Sequence, residues 1–163
     1  DKPGALTRIT TMFARRGFNI DSLAVGPTER TGVSCITMRV DCSEHSLEQI
    51  EKQLNKLISV IKVTDFTETA HVTRELVLLK VAADERTRGE VVHIVDIFRG
   101  KIIDVSRKSY VIEVTGTEDK IDALIELLRP VGIKEIVRTG TVAMFGGTRL
   151  LTVDGKDKER GAA

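Results

Sequence analysis

The residues best suited to chemistry stand at the start of the chain. Pro3 is tolerated in the first turn of a helix, and Asp1 can accept hydrogen bonds from free N–H groups, so the sequence predicts a helix that begins here. The N–H groups of Gly4, Ala5 and Leu6 would lie at the positive end of this helix, where a small anion such as a carboxylate binds well. The alternative for Gly4 is that it only eases a tight turn.

Two polar side chains extend this predicted anion site. The carboxylate of Asp1 and the side-chain amide of Asn19 are suited to bind an ammonium group. A free amino acid carries both an ammonium and a carboxylate, so the combined set of groups suits a zwitterionic ligand. Asn19 also has a simpler explanation as a turn residue, because it follows Gly17 at the predicted end of the helix.

The other reactive residues offer no reaction centre. The three histidines are widely separated, and neither Cys35 nor Cys42 has a CxxC partner, so no metal site is expected. Ser22 and Ser106 have no histidine nearby in sequence to activate them. We therefore expect no catalytic residue, no metal and no cofactor on this chain.

Composition excludes several classes of partner. The chain has 163 residues, of which 41% are hydrophobic and 30% are charged, as in soluble globular proteins. A net charge of +1 favours neither nucleic acid nor an anionic membrane, and no apolar run approaches the roughly 20 residues that cross a bilayer. The cysteines indicate reduced thiols, so we expect a cytoplasmic protein, or a plastid one in a plant or alga.

The hydrophobic pattern predicts elements that position these residues. In the first half a helix that ends at Gly17 precedes two hairpin strands, a second amphipathic helix with a capping box, and a last strand. These elements after the first helix are Asn19–Val25, Val33–Val40, a helix marked by Leu47, Ile50, Leu54 and Leu57 with the box Ser46 and Gln49, and Val60–Phe66.

The second half repeats the pattern after a predicted linker at Thr67–Arg74. It opens with a buried strand, continues with a capped helix closed by Gly100 and a hairpin, and ends with a further helix and strand. The predicted elements are Glu75–Ala82, a helix capped by Thr87 and Glu90, Lys101–Arg107, Tyr110–Thr115, a helix marked by Ile121 to Leu128, and Ile133–Arg138.

The two halves indicate an internal duplication. The predicted fold is α+β, with two ferredoxin-like βαββαβ sandwiches in tandem, the first of which lacks its opening strand. Because the chain starts inside a helix-start motif, we expect either that this strand lies upstream of Asp1 or that a partner covers the unpaired edge. The predicted domains are residues 1–70 and 75–153, and the charged tail at 154–163 is expected to be disordered.

Two stretches resemble a known family. The opening Asp1-Lys2-Pro3-Gly4-Ala5-Leu6 resembles the first motif of ACT domains, which are amino-acid-sensing regulatory modules. The run from Arg16 to Glu29, RGFNIDSLAVGPTE, is similar to the regulatory small subunit of acetolactate synthase, also called acetohydroxyacid synthase. Further similar runs are 47–57, 71–76 and 98–105, so the resemblance extends from Asp1 to about Gly140.

The resemblance implies a non-catalytic regulatory subunit. In this family the catalytic large subunit carries thiamine diphosphate, magnesium and FAD and makes acetolactate for branched-chain amino acid synthesis. The small subunit activates it, confers feedback inhibition by valine, and forms a homodimer through its ACT domains. The effector, L-valine or another branched-chain amino acid, lies between two ACT domains. The implied effector-binding residues are Asp1, Gly4, Ala5, Leu6, Asn19 and Ile20, with Leu6 and Ile20 as the apolar wall.

Two other functions remain open at this level. One is an ACT-type sensing module of another metabolic enzyme or of a transcriptional regulator, although the sequence contains no helix-turn-helix pattern. The other is a structural dimerisation module without a ligand. Binding of an amino acid would exclude the second, and reconstitution with a catalytic subunit would separate the first from the regulatory subunit.

Overall fold

The computed structural model describes residues 1–42 and 47–151. The chain divides into two compact units. Unit 1 comprises Asp1–Val72 and the segment that begins at Ala143, and unit 2 comprises Thr73–Val142. The predicted cap Ser46 and the predicted tail at 154–163 lie outside the described residues.

The order of helices and strands largely follows the predicted duplication. The helices are α1 (Ala5–Arg15), α2 (Leu47–Leu54), α3 (Arg88–Ile97) and α4 (Glu118–Leu128), followed by a 3₁₀ turn at Arg129–Val131. The strands are β1 (Ile20–Pro27), β2 (Ser34–Val40), β3 (His71–Ala82), β4 (Lys101–Val105), β5 (Ser109–Gly116), β6 (Ile133–Arg138) and β7 (Val142–Phe145).

Unit 2 confirms the predicted βαββαβ arrangement. Its sheet has the strand order β4-β5-β3-β6 with antiparallel pairing, and Leu79 lies opposite Ile112 of β5 and Ile136 of β6. Alternate residues of β3 and β5 face α3 and α4 and are buried, so the sheet and the helices form two layers around one core. The opening strand β3 therefore lies in the middle of the sheet.

Unit 1 has the same order of elements but a smaller sheet. The helix face that the sequence predicts is buried at Ile9 and Phe13, which pack with Phe18 of the following loop and with α2. The rings of Phe13 and Phe18 meet edge to face, with centroids 5.5 Å apart. Among the described residues of this unit, β1 and β2 form a two-stranded sheet.

The predicted strand Val60–Phe66 is wrong, because this segment forms no strand. Val60 and Val63 still pack against the core of unit 1. In unit 2 the last strand, β6, pairs with the opening strand β3, and the described part of unit 1 has no counterpart of β3. Burial against the core is thus achieved by the apolar side chains alone. The backbone of 60–66 forms no strand because the described part of unit 1 offers no neighbouring strand with which it could pair.

The predicted linker Thr67–Arg74 is too long. Its last four residues belong to β3, which begins at His71 and not at Glu75. β3 also pairs with β7, a strand that the sequence does not predict. A polar stretch thus becomes a strand because a distant segment supplies its hydrogen-bonding partner.

The C-terminal ends of α1 and α3 have equivalent backbone hydrogen bonds, as the duplication predicts. At α1, the Phe18 N–H donates to Phe13 O at 3.1 Å, and Gly17 has the left-handed φ of 72°. At α3, the Gly100 N–H donates to Val95 O at 2.8 Å, and Arg99 has φ 54°. Arg99, not Gly100, therefore occupies the left-handed position that Gly17 occupies in unit 1.

Gly100 is required for a different reason than the predicted helix closure. A Cβ atom at this position would lie 2.6 Å from Cγ2 of Val114 and 3.1 Å from Cγ1 of Val95. The backbone after α3 thus passes too close to the core of unit 2 for any side chain at residue 100.

We expect Arg99→Gly to stabilise the chain by about 0.5–1 kcal/mol, because glycine adopts a left-handed conformation without the cost that other residues incur. Gly17→Arg at the equivalent position of unit 1 should destabilise it by a similar amount. Urea unfolding of the two variants beside the unaltered chain measures both changes. A loss of stability in Arg99→Gly would contradict this prediction.

Candidate functional site

The chain enters α1 through a tight turn. The Ala5 N–H donates to Lys2 O at 3.0 Å, and Gly4 has φ 80° and ψ 2°. Pro3 in the second position and a glycine with positive φ in the third are the pattern of a type II turn. Gly4 is therefore required by the turn itself, since a Cβ atom placed there would meet nothing within 4 Å.

The prediction that Asp1 caps α1 is wrong. The helix begins at Ala5, its cap residue is Gly4, and no side chain caps it. The turn places Asp1 outside the helix, where its backbone nitrogen donates to Gly32 O at 2.6 Å. Asp1 thus lies beside the loop of the β1–β2 hairpin, and its carboxylate is exposed.

Two N–H groups remain available at the start of α1. The Ala5 N–H is used by the turn, and the Arg8 N–H donates to Gly4 O at 3.0 Å. Within the described part of the chain, the N–H groups of Leu6 and Thr7 have no acceptor. A carboxylate at this helix end would therefore bind Leu6 and Thr7, and of the three N–H groups that the sequence suggested, that of Ala5 is engaged.

A second group of predicted site residues lies where β1 begins. The Asn19 amide nitrogen donates to Asp21 Oδ1 at 2.6 Å, and Asp21 lies 3.9 Å from Nε of Arg39. The amide oxygen of Asn19, which is the atom that binds an ammonium, has no hydrogen bond in residues 1–42 and 47–151. Ile20 packs partly against the core of unit 1, so only part of its side chain is available to a ligand.

The two groups lie at opposite ends of α1. Gly4 and Leu6 are at its start, whereas Asn19 follows its last turn, where Phe18 bonds back to Phe13. A helix of 11 residues is about 16 Å long, which is several times the distance between the ammonium and the carboxylate of an amino acid. The two groups of one chain therefore cannot bind the same amino acid molecule.

The surface along α1 is an open groove and not an enclosed pocket. The groove has a volume of about 790 Å³, and Gly4, Thr7, Arg8 and Arg15 contribute to its lining. Neither Leu6, which is 39% exposed, nor Asn19 lines this groove. The groups at the start of α1 thus face solvent in the single chain.

Unit 2 carries its own carboxylate before the corresponding helix. The predicted capping box of Thr87 with Glu90 does not form, because the Thr87 hydroxyl donates to Asp84 Oδ1 at 2.9 Å. The N–H groups of Thr87 and Arg86 donate to the same oxygen at 2.9 Å. The bonds from Thr87 lower the pKa of the Asp84 carboxyl. This contact therefore stabilises unit 2 above the ordinary pKa of aspartate, and its contribution is lost as the pH falls.

The described residues were also compared with the patterns of metal sites and of membrane-spanning helices. Within 1–42 and 47–151, no three histidine, cysteine or carboxylate side chains are grouped as metal ligands would be. None of the described helices is both long and apolar enough to span a bilayer.

Sequence reasoning missed Thr7 and Asp21. The signal for Thr7 is the Lys-Pro-Gly-Ala order, which predicts a type II turn and so moves the free N–H groups one residue along the chain. Asp21 has a weaker signal, since a carboxylate two residues after Asn19 on the same strand face can orient that amide.

Comparisons with known proteins give matches over both units. Residues 1–62 match the model of the "AHAS small subunit-like ACT domain", and residues 74–147 match "Small subunit of acetolactate synthase". The acetolactate synthase small subunit of Bacillus subtilis is 52% identical over 91% of this chain and 87% of its own length. The probable small subunit of Archaeoglobus fulgidus is 53% identical over 91% of this chain and 93% of its own.

A solved structure is similar as well. The crystal structure of the acetolactate synthase small subunit from Thermotoga maritima matches with a TM-score of 0.79 and 47% sequence identity. The match covers 88% of this chain and 90% of that one.

Proposed function

We propose, from the premise that this chain belongs to the acetolactate synthase small subunit family, that it senses L-valine and adjusts the activity of the catalytic large subunit accordingly. Family membership itself supports a regulatory role beside such a partner. The large subunit then holds thiamine diphosphate, magnesium and FAD and performs the chemistry. The alternative of a sensing module from another enzyme loses support, because the similarity to small subunits includes unit 2.

The observation that carries the proposal is the separation of the two groups of site residues. The free N–H groups of Leu6 and Thr7 suit a carboxylate, and the free amide oxygen of Asn19 suits an ammonium, but α1 holds them about 16 Å apart. Two chains related by a two-fold axis can place the helix start of one chain beside Asn19 of the other. We therefore place valine between two copies of unit 1.

In this arrangement each predicted residue has a role. Leu6 contributes an N–H group and an exposed apolar side chain, and Gly4 shapes the turn that leaves room for the carboxylate. Ala5 supports the turn through its bond to Lys2 O. Asn19 of the other copy binds the ammonium, and Ile20 of that copy adds apolar surface. Asp1 belongs to the same copy as the helix start, and its carboxylate binds the same ammonium.

Regulation follows from linkage between valine and the arrangement of the two copies. Valine that touches both copies stabilises the arrangement in which the two groups meet. If that arrangement binds the large subunit less tightly, valine weakens this binding and so lowers the activity of the enzyme. The coupling free energy between the two binding events is typically about 1–3 kcal/mol. The same linkage requires that the large subunit weaken valine binding.

The test is a titration of the reconstituted enzyme and of the isolated small subunit with L-valine, L-leucine and D-valine. We expect the chain to activate the large subunit of its source organism and L-valine to reverse the activation. Asn19→Ala should weaken valine binding about 10- to 100-fold, the value of one hydrogen bond to a charged group.

Asn55→Ala is the matched control, because Asn55 is an exposed asparagine outside the proposed site. Activation without any response to the three amino acids would reject valine sensing and leave the regulatory role. Absence of activation would reject the proposed function itself.

A further inference from the structure

The start of α3 and the turn between β4 and β5 meet at one end of unit 2. Nη2 of Arg88 donates to Arg107 O at 2.8 Å. The Ala83 N–H donates to Lys108 O at 3.2 Å, and Nζ of Lys134 donates to the same oxygen at 3.1 Å. These bonds bring together three parts of the chain: 83–88, 106–109 and Lys134.

These parts of the chain concentrate positive charge. They contain five cations and two carboxylates, which gives a formal charge of +3, whereas the whole chain carries +1. The cations, which we call the basic patch, are Arg86, Arg88, Arg107, Lys108 and Lys134. The carboxylates are Asp84 and Glu85.

Three cations elsewhere in unit 2, Lys80, Arg129 and Arg138, form ion pairs with carboxylates. Lys80 lies 3.6 Å from Glu135, and Arg129 lies 2.7 Å from Glu126. Within the described residues, no cation of the basic patch forms such an ion pair. Arg86 interacts electrostatically with Asp84, so the field of the basic patch is balanced only in part within unit 2, and the remainder is available to a partner.

Arg88 adds a second observation. Its Nε atom is buried, yet it has no hydrogen-bond partner among the described residues. A partly buried cation without a counter-ion raises the free energy of the isolated chain. A carboxylate from a partner protein would lower it.

The turn that carries Arg107 and Lys108 is held in place before any partner binds. The Ser106 N–H donates to Ser109 O at 2.9 Å, and the Ser109 N–H donates back to the Ser106 hydroxyl at 3.0 Å. Little backbone freedom is then lost when the turn is bound, which favours association.

The chemistry of the basic patch favours an acidic protein surface over nucleic acid. Proteins that bind single-stranded RNA stack its bases on aromatic side chains, and the sequences of 83–88 and 106–109 contain none. The single tyrosine of the chain, Tyr110, is buried in the core of unit 2.

We propose that the basic patch of unit 2 is a docking surface for an acidic patch on the catalytic large subunit. The inference rests on the proposed function only for the identity of the partner. Unit 2 then contributes charge-directed association, while valine is sensed in unit 1.

The experiment compares activation of the large subunit by the unaltered full chain and by the double variant Arg107→Gln/Lys108→Gln, at low and at physiological salt. We expect the variant to need about a tenfold higher concentration for half-maximal activation at low salt, with a weaker dependence on salt. A second variant, Arg86→Gln, should move both quantities in the same direction.

Lys56→Gln is the matched control for Arg86→Gln, because Lys56 is an exposed cation of unit 1 that forms no ion pair among the described residues. An equal effect in variant and control, or no effect in either, would overturn the docking surface. A titration with transfer RNA tests the nucleic-acid alternative. The docking surface would be overturned if the unaltered chain bound transfer RNA, the double variant lost this binding, and activation were unchanged. If the unaltered chain does not activate the large subunit, the proposed function and the docking surface both fall.

Discussion

Gly4→Asp is expected to abolish inhibition by valine while activation of the large subunit persists. The substitution places a carboxylate beside the N–H groups of Leu6 and Thr7, which the proposed site offers to the carboxylate of valine. Two like charges cannot share this position, so we expect valine affinity to fall by more than about 100-fold. Inhibition curves of the reconstituted enzyme measure the change.

The control for this prediction is Gly4→Asn. Gly4 has φ 80°, so any side chain there adds strain, but asparagine and aspartate are similar in shape and both tolerate left-handed backbone. The difference between the two variants therefore reports charge and not strain. Retention of valine inhibition in Gly4→Asp would rule out the helix start as the carboxylate site, and equal losses in both variants would attribute the effect to the turn.

A mixture of Gly4→Asp and Asn19→Ala chains tests whether the site spans two copies. In a mixed dimer, the intact helix start of one chain meets the intact Asn19 of the other, so one of two sites is restored. Random mixing should recover about one quarter of the valine sites of the unaltered protein, although neither variant binds alone. No recovery in the mixture would contradict a site shared between copies.

Arg138→Met is expected to cost about 2–3 kcal/mol of unfolding free energy, the largest stability effect that we predict. Glu75 is buried in unit 2 with a side chain 4% exposed, and it forms an ion pair with Arg138. Arg138 also bonds to Asp122 of α4 at 2.9 Å. Burial alone would lower the pKa of the Arg138 guanidinium, but its bonds to Glu75 and Asp122 raise it, so the group stays charged.

The cost arises from the carboxylate that is left behind. Without Arg138, the buried carboxyl of Glu75 has no cation beside it, whereas the partial exposure of Arg138 limits the loss. Arg129→Met is the control, since the Arg129–Glu126 pair is exposed and its removal should have a far smaller effect. Urea unfolding measures both, and equal losses would show that the buried pair has no special role.

The double variant Glu75→Leu/Arg138→Met separates packing from charge. Replacing both partners by apolar residues removes the unpaired carboxylate, so stability should return to within about 1 kcal/mol of the unaltered chain. A double variant as unstable as Arg138→Met would indicate that the shape of the pair, not its charge, is needed.

Local patterns were sufficient for most of the fold. Apolar spacing in α1 predicted that Ile9 and Phe13 are buried, and the alternation around the two hairpins predicted their strands within a few residues. These features depend on neighbours along the chain, which a sequence contains directly. Segments that need a distant partner were predicted less well: Val60–Phe66 is not a strand, and β3 begins earlier than expected.

For the proposed site, the sequence by itself determined which groups are present: a Pro-Gly turn that opens a helix, and an asparagine after that helix. Only the tertiary structure decided how they are arranged. It engages the Ala5 N–H in the turn, frees those of Leu6 and Thr7, and separates Gly4 from Asn19 by the length of α1. The physical reason is that residue types fix which hydrogen bonds are possible, whereas distances between groups depend on the rigid helix that connects them.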